Sequence, residues 1–230
     1  MKKKILILGG NSDIGIKIID KLINDKDISL DIHFNKNFPK KSYKKKLNLI
    51  KKDLFKINER NVKIHFDNNY DVIINLVGYV SDQSFQKFSL KEIQKTILIN
   101  SFVPFLIIRN TLKNMEKKKF GRIINTSSIG VKFGGGRSTF SYSLSKHINE
   151  FIPLEIKKLS FKNVLYNTLR IGLTNTKFHK KIKNKSIVKR TKLVPVRKMA
   201  SANDIANYII FLIRDNNFIT NEIINITGGE

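Results

Sequence analysis

Short, wholly apolar runs recur along this chain at Ile5-Leu6-Ile7-Leu8, Val72-Ile73-Ile74 and Ile123-Ile124, and between them lie stretches of helix length with one-sided apolar spacing. A strand buried on both faces reads as a continuous apolar run rather than an alternation, and parallel neighbours need a helical crossover between them. The pattern therefore predicts repeated β-α units: an α/β fold, a doubly wound parallel sheet flanked by helices on both faces. The first unit is the most explicit. Ile5 to Leu8 runs into Gly9-Gly10-Asn11-Ser12-Asp13-Ile14-Gly15 and then into the amphipathic stretch Ile16 to Ile23, which reads as strand, tight turn and helix. Such a turn lets backbone approach a pyrophosphate, and the helix start offers it N–H groups and a positive dipole end. The Gly-x-x-x-x-x-Gly spacing is not the commoner Gly-x-Gly-x-x-Gly, so an ordinary glycine turn is the other reading.

The length of 230 residues suits one α/β domain, 1–230, with no internal repeat and no proline- or glycine-rich linker. A second pattern carries chemistry. In Ser141-Tyr142-Ser143-Leu144-Ser145-Lys146 a phenol and an ammonium stand at i and i+4, on one helix face, downstream of Asn125-Thr126-Ser127-Ser128 at the end of a predicted strand. Together they make a proton-transfer site for a carbonyl or an alcohol. Taken alone, the pair is better read as an exposed tyrosine beside a solvated lysine, since such a spacing occurs by chance in many helices.

Together the two regions resemble the short-chain dehydrogenase/reductase family, whose glycine motif is Thr-Gly-x-x-x-Gly-x-Gly and whose active site joins Ser, Tyr-x-x-x-Lys and an upstream Asn. The resemblance runs the full length. Gly9 and Gly15 match the outer glycines, Asp13 replaces the middle one and Leu8 the threonine. Asn11, Ser12 and Ile14 complete the phosphate turn, and Asp53-Leu54 falls where the family meets the adenine. Asn75-Leu76-Val77-Gly78 keeps the outer residues of the family's Asn-Asn-Ala-Gly; Asn100 lies at the active-site asparagine. Arg170-Ile171-Gly172 replaces the turn that usually holds Pro-Gly, Thr176 follows it, and Ile223 to Gly229 matches the last strand with its glycine pair.

The resemblance implies a Rossmann-type fold and an NAD(P)(H)-dependent oxidoreductase that reduces a carbonyl or oxidises the alcohol. Tyr142 is the implied acid/base, and Lys146 lowers its pKa and holds the nicotinamide ribose. Ser128 hydrogen-bonds the substrate oxygen, and Asn100 fixes a proton-relay water. Bringing a phenol from about 10 to neutrality takes about 4 kcal/mol, which Lys146 and an oxidised nicotinamide are expected to supply. Leu8 removes a hydroxyl that in relatives braces the loop after the fourth strand, which implies weaker cofactor binding.

After Asp31-Ile32-His33-Phe34 the chain continues Asn35-Lys36-Asn37, with Lys40 and Lys41 beyond. A carboxylate at the end of the second strand would accept from a ribose 2′-OH and repel a 2′-phosphate. Asp31 stands too early for that, and lysine is close by, so NADP(H) is favoured over NAD(H).

Composition narrows the rest. There is no cysteine and the four histidines show no ligand spacing, so no metal is expected. The absence of a signal-type segment or a membrane-length run points to the cytoplasm and no membrane span. The formal charge of +26 could mark nucleic acid or another acidic partner, but the basic residues are spread along the chain and lysine, isoleucine and asparagine are heavily used throughout. Codon bias is the preferred account, and no specific nucleic acid is expected.

One basic stretch stands apart. It follows Thr176 from Lys177 through Phe178, His179, Lys180, Lys181, Lys183, Lys185, Lys189, Arg190 and Lys192, within a substrate lid of about 177–195. An anionic substrate and a solvated helix face fit it equally. Leu169 to Thr176 loosely resembles family variants of bacterial surface-polysaccharide synthesis, favouring a sugar or nucleotide sugar; the alternative is a 3-oxoacyl group on an acidic carrier. A non-catalytic cofactor-sensing protein is the alternative of another class. The family also implies a homodimer or homotetramer, through the helices bearing Asn100 and Tyr142, with Pro153 expected to kink the second of them.

Overall fold

The computed structural model describes residues 2–38, 47–178 and 186–230. In chain order the elements are β1 (Lys3–Leu8), α1 (Asp13–Leu22), β2 (Ile28–Phe34), β3 (Asn48–Lys51), α2 (Val62–His65), β4 (Val72–Asn75), α3 (Leu90–Ile97) and α4 (Val103–Lys118). There follow β5 (Gly121–Ser128), α5 (Phe140–Ile148), α6 (Leu154–Lys157), β6 (Val164–Ile171), β7 (Thr174–Asn175), α7 (Ile187–Leu193), β8 (Ala200–Ser201), α8 (Ala202–Arg214) and β9 (Glu222–Ile226). Seven strands form one parallel sheet in the order β3-β2-β1-β4-β5-β6-β9, and β7 pairs with β8 beside it. This is the expected Rossmann-type doubly wound sheet, with its order reversing between β1 and β4, the crevice where such folds bind ligands.

Side-chain alternation divides the sheet's two faces. Leu6, Leu8, Ile73, Ile123 and Tyr166 face one layer, with Val103, Ile107 and Met115 of α4. Ile5, Ile7, Val72, Ile74 and Ile124 face the other, with Ile18 and Ile19 of α1 and Ile205, Ile209 and Leu212 of α8. Every one of these side chains is nearly excluded from solvent, which is why the strands read as unbroken apolar runs.

Pro153 does more than kink the second helix. α5 stops at Ile148, with Asn149 as its C-cap, and α6 restarts after Pro153 as its N-cap. A proline cannot donate to the preceding turn, so the chain becomes two helices instead of one bent one.

Candidate active site

The site forms at the carboxyl ends of β1, β4, β5 and β6. Gly9 leaves β1 in the left-handed region (φ +70), where a Cβ would also stand 3.1 Å from the Leu76 carbonyl. Gly15 packs so closely that a Cβ would lie 2.5 Å from the Gly10 carbonyl oxygen. Ser12 caps α1 by accepting from the Gly15 N–H at 3.1 Å, and Asp13 occupies the helix's first turn. Backbone alone can come this near a neighbour, which is the property a pyrophosphate cradle needs.

The adenosine side of the crevice is held by loop contacts. Asn11 donates its amide to the Asn37 carbonyl at 2.9 Å, which sets the exposed Asn35 and Lys36 beside the glycine turn. Lys40 and Lys41 lie outside the described residues, as do residues 179–185 of the basic stretch. Asp31 is in mid-strand, buried, and accepts from the Tyr70 hydroxyl at 2.8 Å, so it is remote from the strand end. Asp53 caps a short 3-10 turn, accepting from Phe55 N at 3.0 Å, and Leu54 beside it is buried.

Around the expected catalytic residues the polar groups are deeply buried and most hydrogen-bond one another, with Asn149 Oδ1 left without a partner among the described residues. Asn75 is fully buried; its Oδ1 accepts from Val77 N at 3.1 Å and its Nδ2 donates to Asn125 Oδ1 at 2.8 Å, which holds the loop that carries Gly78. Asn100 sits in a π-helical turn, Leu98–Phe102, between α3 and α4. Its Oδ1 accepts from Tyr79 N at 2.7 Å, and its Nδ2 donates to the Tyr79 carbonyl and Ser145 Oγ, both at 2.9 Å. The side chain is committed, so any water held at this position would rest on the main-chain carbonyl, which accepts from Asn149 Nδ2 at 3.2 Å.

Tyr142 and Lys146 lie on α5 as their spacing requires. Ser128, at the end of β5, stands near the Tyr142 phenol and opposes the rise in its pKa, while its Oγ accepts from Gly130 N at 3.2 Å. Lys146 is only 2% exposed and donates to the Val77 carbonyl at 2.8 Å, the Thr126 carbonyl at 3.0 Å and Thr126 Oγ1 at 3.1 Å. Its Nζ stands 5.8 Å from the centre of the Tyr142 ring. Phe178 packs on that ring at 5.2 Å between centroids and also lies against Gly78. Thr176, half-buried, precedes Lys177, whose N–H donates to Asp13 Oδ2 at 2.6 Å and so ties the segment after β7 to the glycine turn.

The electrostatics depart from the expectation that Lys146 lowers the pKa of Tyr142. Burial pushes the Tyr142 phenol above its usual range, against the opposing pull of Ser128, and burial brings Lys146 down to about 7. Two groups taken out of water beside each other both favour their neutral forms, and the ammonium is met by carbonyl and hydroxyl oxygens in place of a carboxylate. Of the residues that complete this arrangement, Thr126, Asn149, Tyr79 and Ser145 were given no role from the sequence, and Phe178 entered only as part of the basic stretch. Only Thr126 carried a signal, as an inner neighbour of Ser128 on a predicted strand.

Of the basic stretch, α7 is described. Its Arg190 pairs with the Glu230 carboxylate and lies over the Phe133 ring. Among the described residues no group of histidine, aspartate and glutamate side chains is arranged to hold a metal, and no helix is long and apolar enough to cross a membrane.

Comparison with known proteins points one way. The family model described as enoyl-(acyl carrier protein) reductase matches residues 57–230. The 3-oxoacyl-[acyl-carrier-protein] reductase FabG of Aquifex aeolicus is 30% identical over 161 residues, 69% of this chain and 64% of that one. FabG of Buchnera aphidicola subsp. Schizaphis graminum is 28% identical over 242 residues, 99% of this chain and 97% of that one. Among solved structures, ElxO with NADP bound superposes with a TM-score of 0.83 at 25% identity, covering 100% of this chain and 98% of the other.

Proposed function

The chain belongs to the short-chain dehydrogenase/reductase family, and from that premise we propose that it is an NADP(H)-dependent reductase of a 3-oxoacyl group carried as a thioester. The observation that carries the oxidoreductase reading is the joined set of Ser128, Tyr142 and the buried Lys146 at the mouth of a glycine-lined crevice. The Gly9 and Gly15 contacts leave a cradle that a side chain would fill, and this fits a dinucleotide. Gly9, Asn11, Ser12, Asp13, Ile14 and Gly15 would hold its pyrophosphate, Asp53 and Leu54 its adenine, and Asn75, Gly78, Lys146 and Thr176 its nicotinamide end.

Hydride delivery is the chemistry the bound cofactor supplies. Tyr142 gives its phenolic proton to the carbonyl oxygen as charge develops there. Burial keeps the phenol protonated, the form from which a donor starts, and also makes it a weaker acid, so a nearby positive charge would have to offset that burial as the proton moves. Ser128 directs its own O–H at the same oxygen, since its Oγ already accepts from Gly130 N. Lys146, poised near neutrality, is able to pass on the proton that restores Tyr142.

The preference for NADP(H) rests on Lys36 beside the glycine turn, with no carboxylate at the end of β2, and on the NADP in the ElxO structure. The substrate class rests on the two 3-oxoacyl reductases; nothing in the relatives favours the sugar expected from the sequence. Assembly as a homo-oligomer draws support from a groove of about 1020 Å³ beside α4 and α5, lined by Phe102, Phe105, Leu106, Phe151 and Ile156.

The test is titration with NADPH and NADH by nucleotide fluorescence, followed by turnover of an acetoacetyl thioester and, separately, of a 4-keto nucleotide sugar. NADPH binding with thioester reduction is expected. Folded protein that binds neither nucleotide would reject the oxidoreductase reading. Binding without turnover of either carbonyl would leave a cofactor-sensing protein.

A further inference from the structure

Below the glycine turn lies a buried histidine that the reaction does not use. His33, only 3% exposed, faces the glycine turn from β2. Its Nδ1 accepts from the Gly9 N–H at 3.2 Å, while its main-chain carbonyl accepts from Gly10 N at 2.9 Å, so one residue holds the first two glycines of the turn. Its Nε2 meets the Lys52 carbonyl at 2.9 Å, immediately before Asp53. An acceptor at Nδ1 and a carbonyl partner at Nε2 admit one tautomer, the neutral ring with its hydrogen on Nε2.

We propose that His33 is the positioning residue of the cofactor turn, acting only as this neutral tautomer, and that cofactor affinity therefore falls as His33 is protonated. A proton added to Nδ1 would point at the Gly9 N–H, placing donor against donor in a space closed to water. The glycine turn must then shift or the ring must leave.

The surroundings favour the neutral form. Burial lowers the His33 pKa below its usual value, against the Lys52 carbonyl and the Asp53 carboxylate, which both favour the cation. The ring also packs on Phe66 at 5.9 Å, and Asp31, two positions earlier on the same strand, is engaged by Tyr70 and Lys4. The inference rests on the dinucleotide reading of the crevice.

Its test compares wild type with His33→Asn, whose Oδ1 still offers Gly9 an acceptor but does not titrate, and with His33→Leu, which offers none. NADP⁺ dissociation constants are measured by calorimetry from about pH 7.5 to about pH 4.5, because a buried imidazole titrates below the range of a free one. Dividing wild type by His33→Asn cancels the titration of the nucleotide and of Lys146. That ratio should stay near one until the pH passes below the lowered His33 value and then climb towards about tenfold, the effect of losing one buried hydrogen bond, while His33→Leu binds weakly at every pH. A flat ratio overturns the proposal.

Nitrogen chemical shifts of the apo protein give an independent reading. The Nε2–H tautomer, with the Gly9 amide moving as His33 titrates, shows that His33 positions the glycine turn whether or not a nucleotide binds, so failure of the dinucleotide reading is told apart from failure of the histidine's role. A Nδ1–H tautomer, or a Gly9 amide indifferent to pH, overturns it.

Discussion

Two lysines, one at each end of the sheet, show how partner chemistry sets the state of a buried amine. Lys4, at the amino end of β1, is partly buried and meets two carboxylates, Asp67 at 2.7 Å and Asp31 at 3.6 Å. Burial pulls its pKa down, but the two aspartates outweigh it and leave the group above the usual lysine value. Lys146, at the carboxyl ends of β4 and β5, is more deeply buried and meets only carbonyl and hydroxyl oxygens, so it falls to about 7. The same residue type is held as a cation at one end and brought towards its neutral form at the other. Dipoles solvate a charge less well than a carboxylate neutralises it, and that difference separates the two.

The sharpest way to break the comparison is to remove the group that Lys146 serves. Tyr142→Phe should lower kcat for carbonyl reduction on the order of 10²- to 10⁴-fold, the usual worth of a general acid, while fluorescence titration shows NADPH binding little changed. An equal loss of binding would mean that the hydroxyl holds cofactor and does not move protons.

Next in size is the pH dependence of stability, where the two lysines should act with opposite sign. Lys146 binds fewer protons in the folded state than in the unfolded chain between about 7 and its unfolded value, so its contribution to stability rises with pH across that window. Lys146→Met should flatten the rise, so that the gain in unfolding free energy from neutral to alkaline pH, read from denaturant titrations, differs between the two proteins on the order of a few kcal/mol. Lys4 has a folded pKa above its unfolded one, so its contribution is complete below 10.5 and is lost as pH climbs past the folded value.

A smaller effect sharpens the reading of the cofactor end. Lys36→Ala should weaken NADPH binding by about tenfold and leave NADH binding unchanged, as expected for one exposed lysine that meets only a 2′-phosphate. Equal weakening of both nucleotides would show that Lys36 does not select between them. Smallest is Lys4→Met, which should cost about 1 kcal/mol or less in a neutral-pH denaturant titration, because its ion pairs are partly solvated.

Most of the fold was legible because it is written locally. The apolar runs of β1 and β4 carry enough burial to mark themselves as two-sided strands, and the glycine turn declares its own geometry through Gly9 and Gly15. The pairing of Tyr142 with Lys146 follows from helical periodicity alone. The role of Pro153 was half legible: a disturbance was foreseen, but a full break was decided by the next segment packing as a separate helix against the sheet.

Less of the site's physics could be read in advance. The expected lowering of the Tyr142 pKa assumed that nearness of charge would dominate, whereas the enclosure made by β4, β5 and Phe178 lets burial win. The sequence by itself determined which segments become strands and helices and which residue types reach one helix face, because those depend on neighbours within a few positions. Tertiary structure alone decided that Lys146 is bonded to Val77 and Thr126, that Asp13 ties down Lys177, and that His33 holds Gly9. These contacts join positions far apart in the chain, whose spacing carries no mark of their meeting until the sheet has closed.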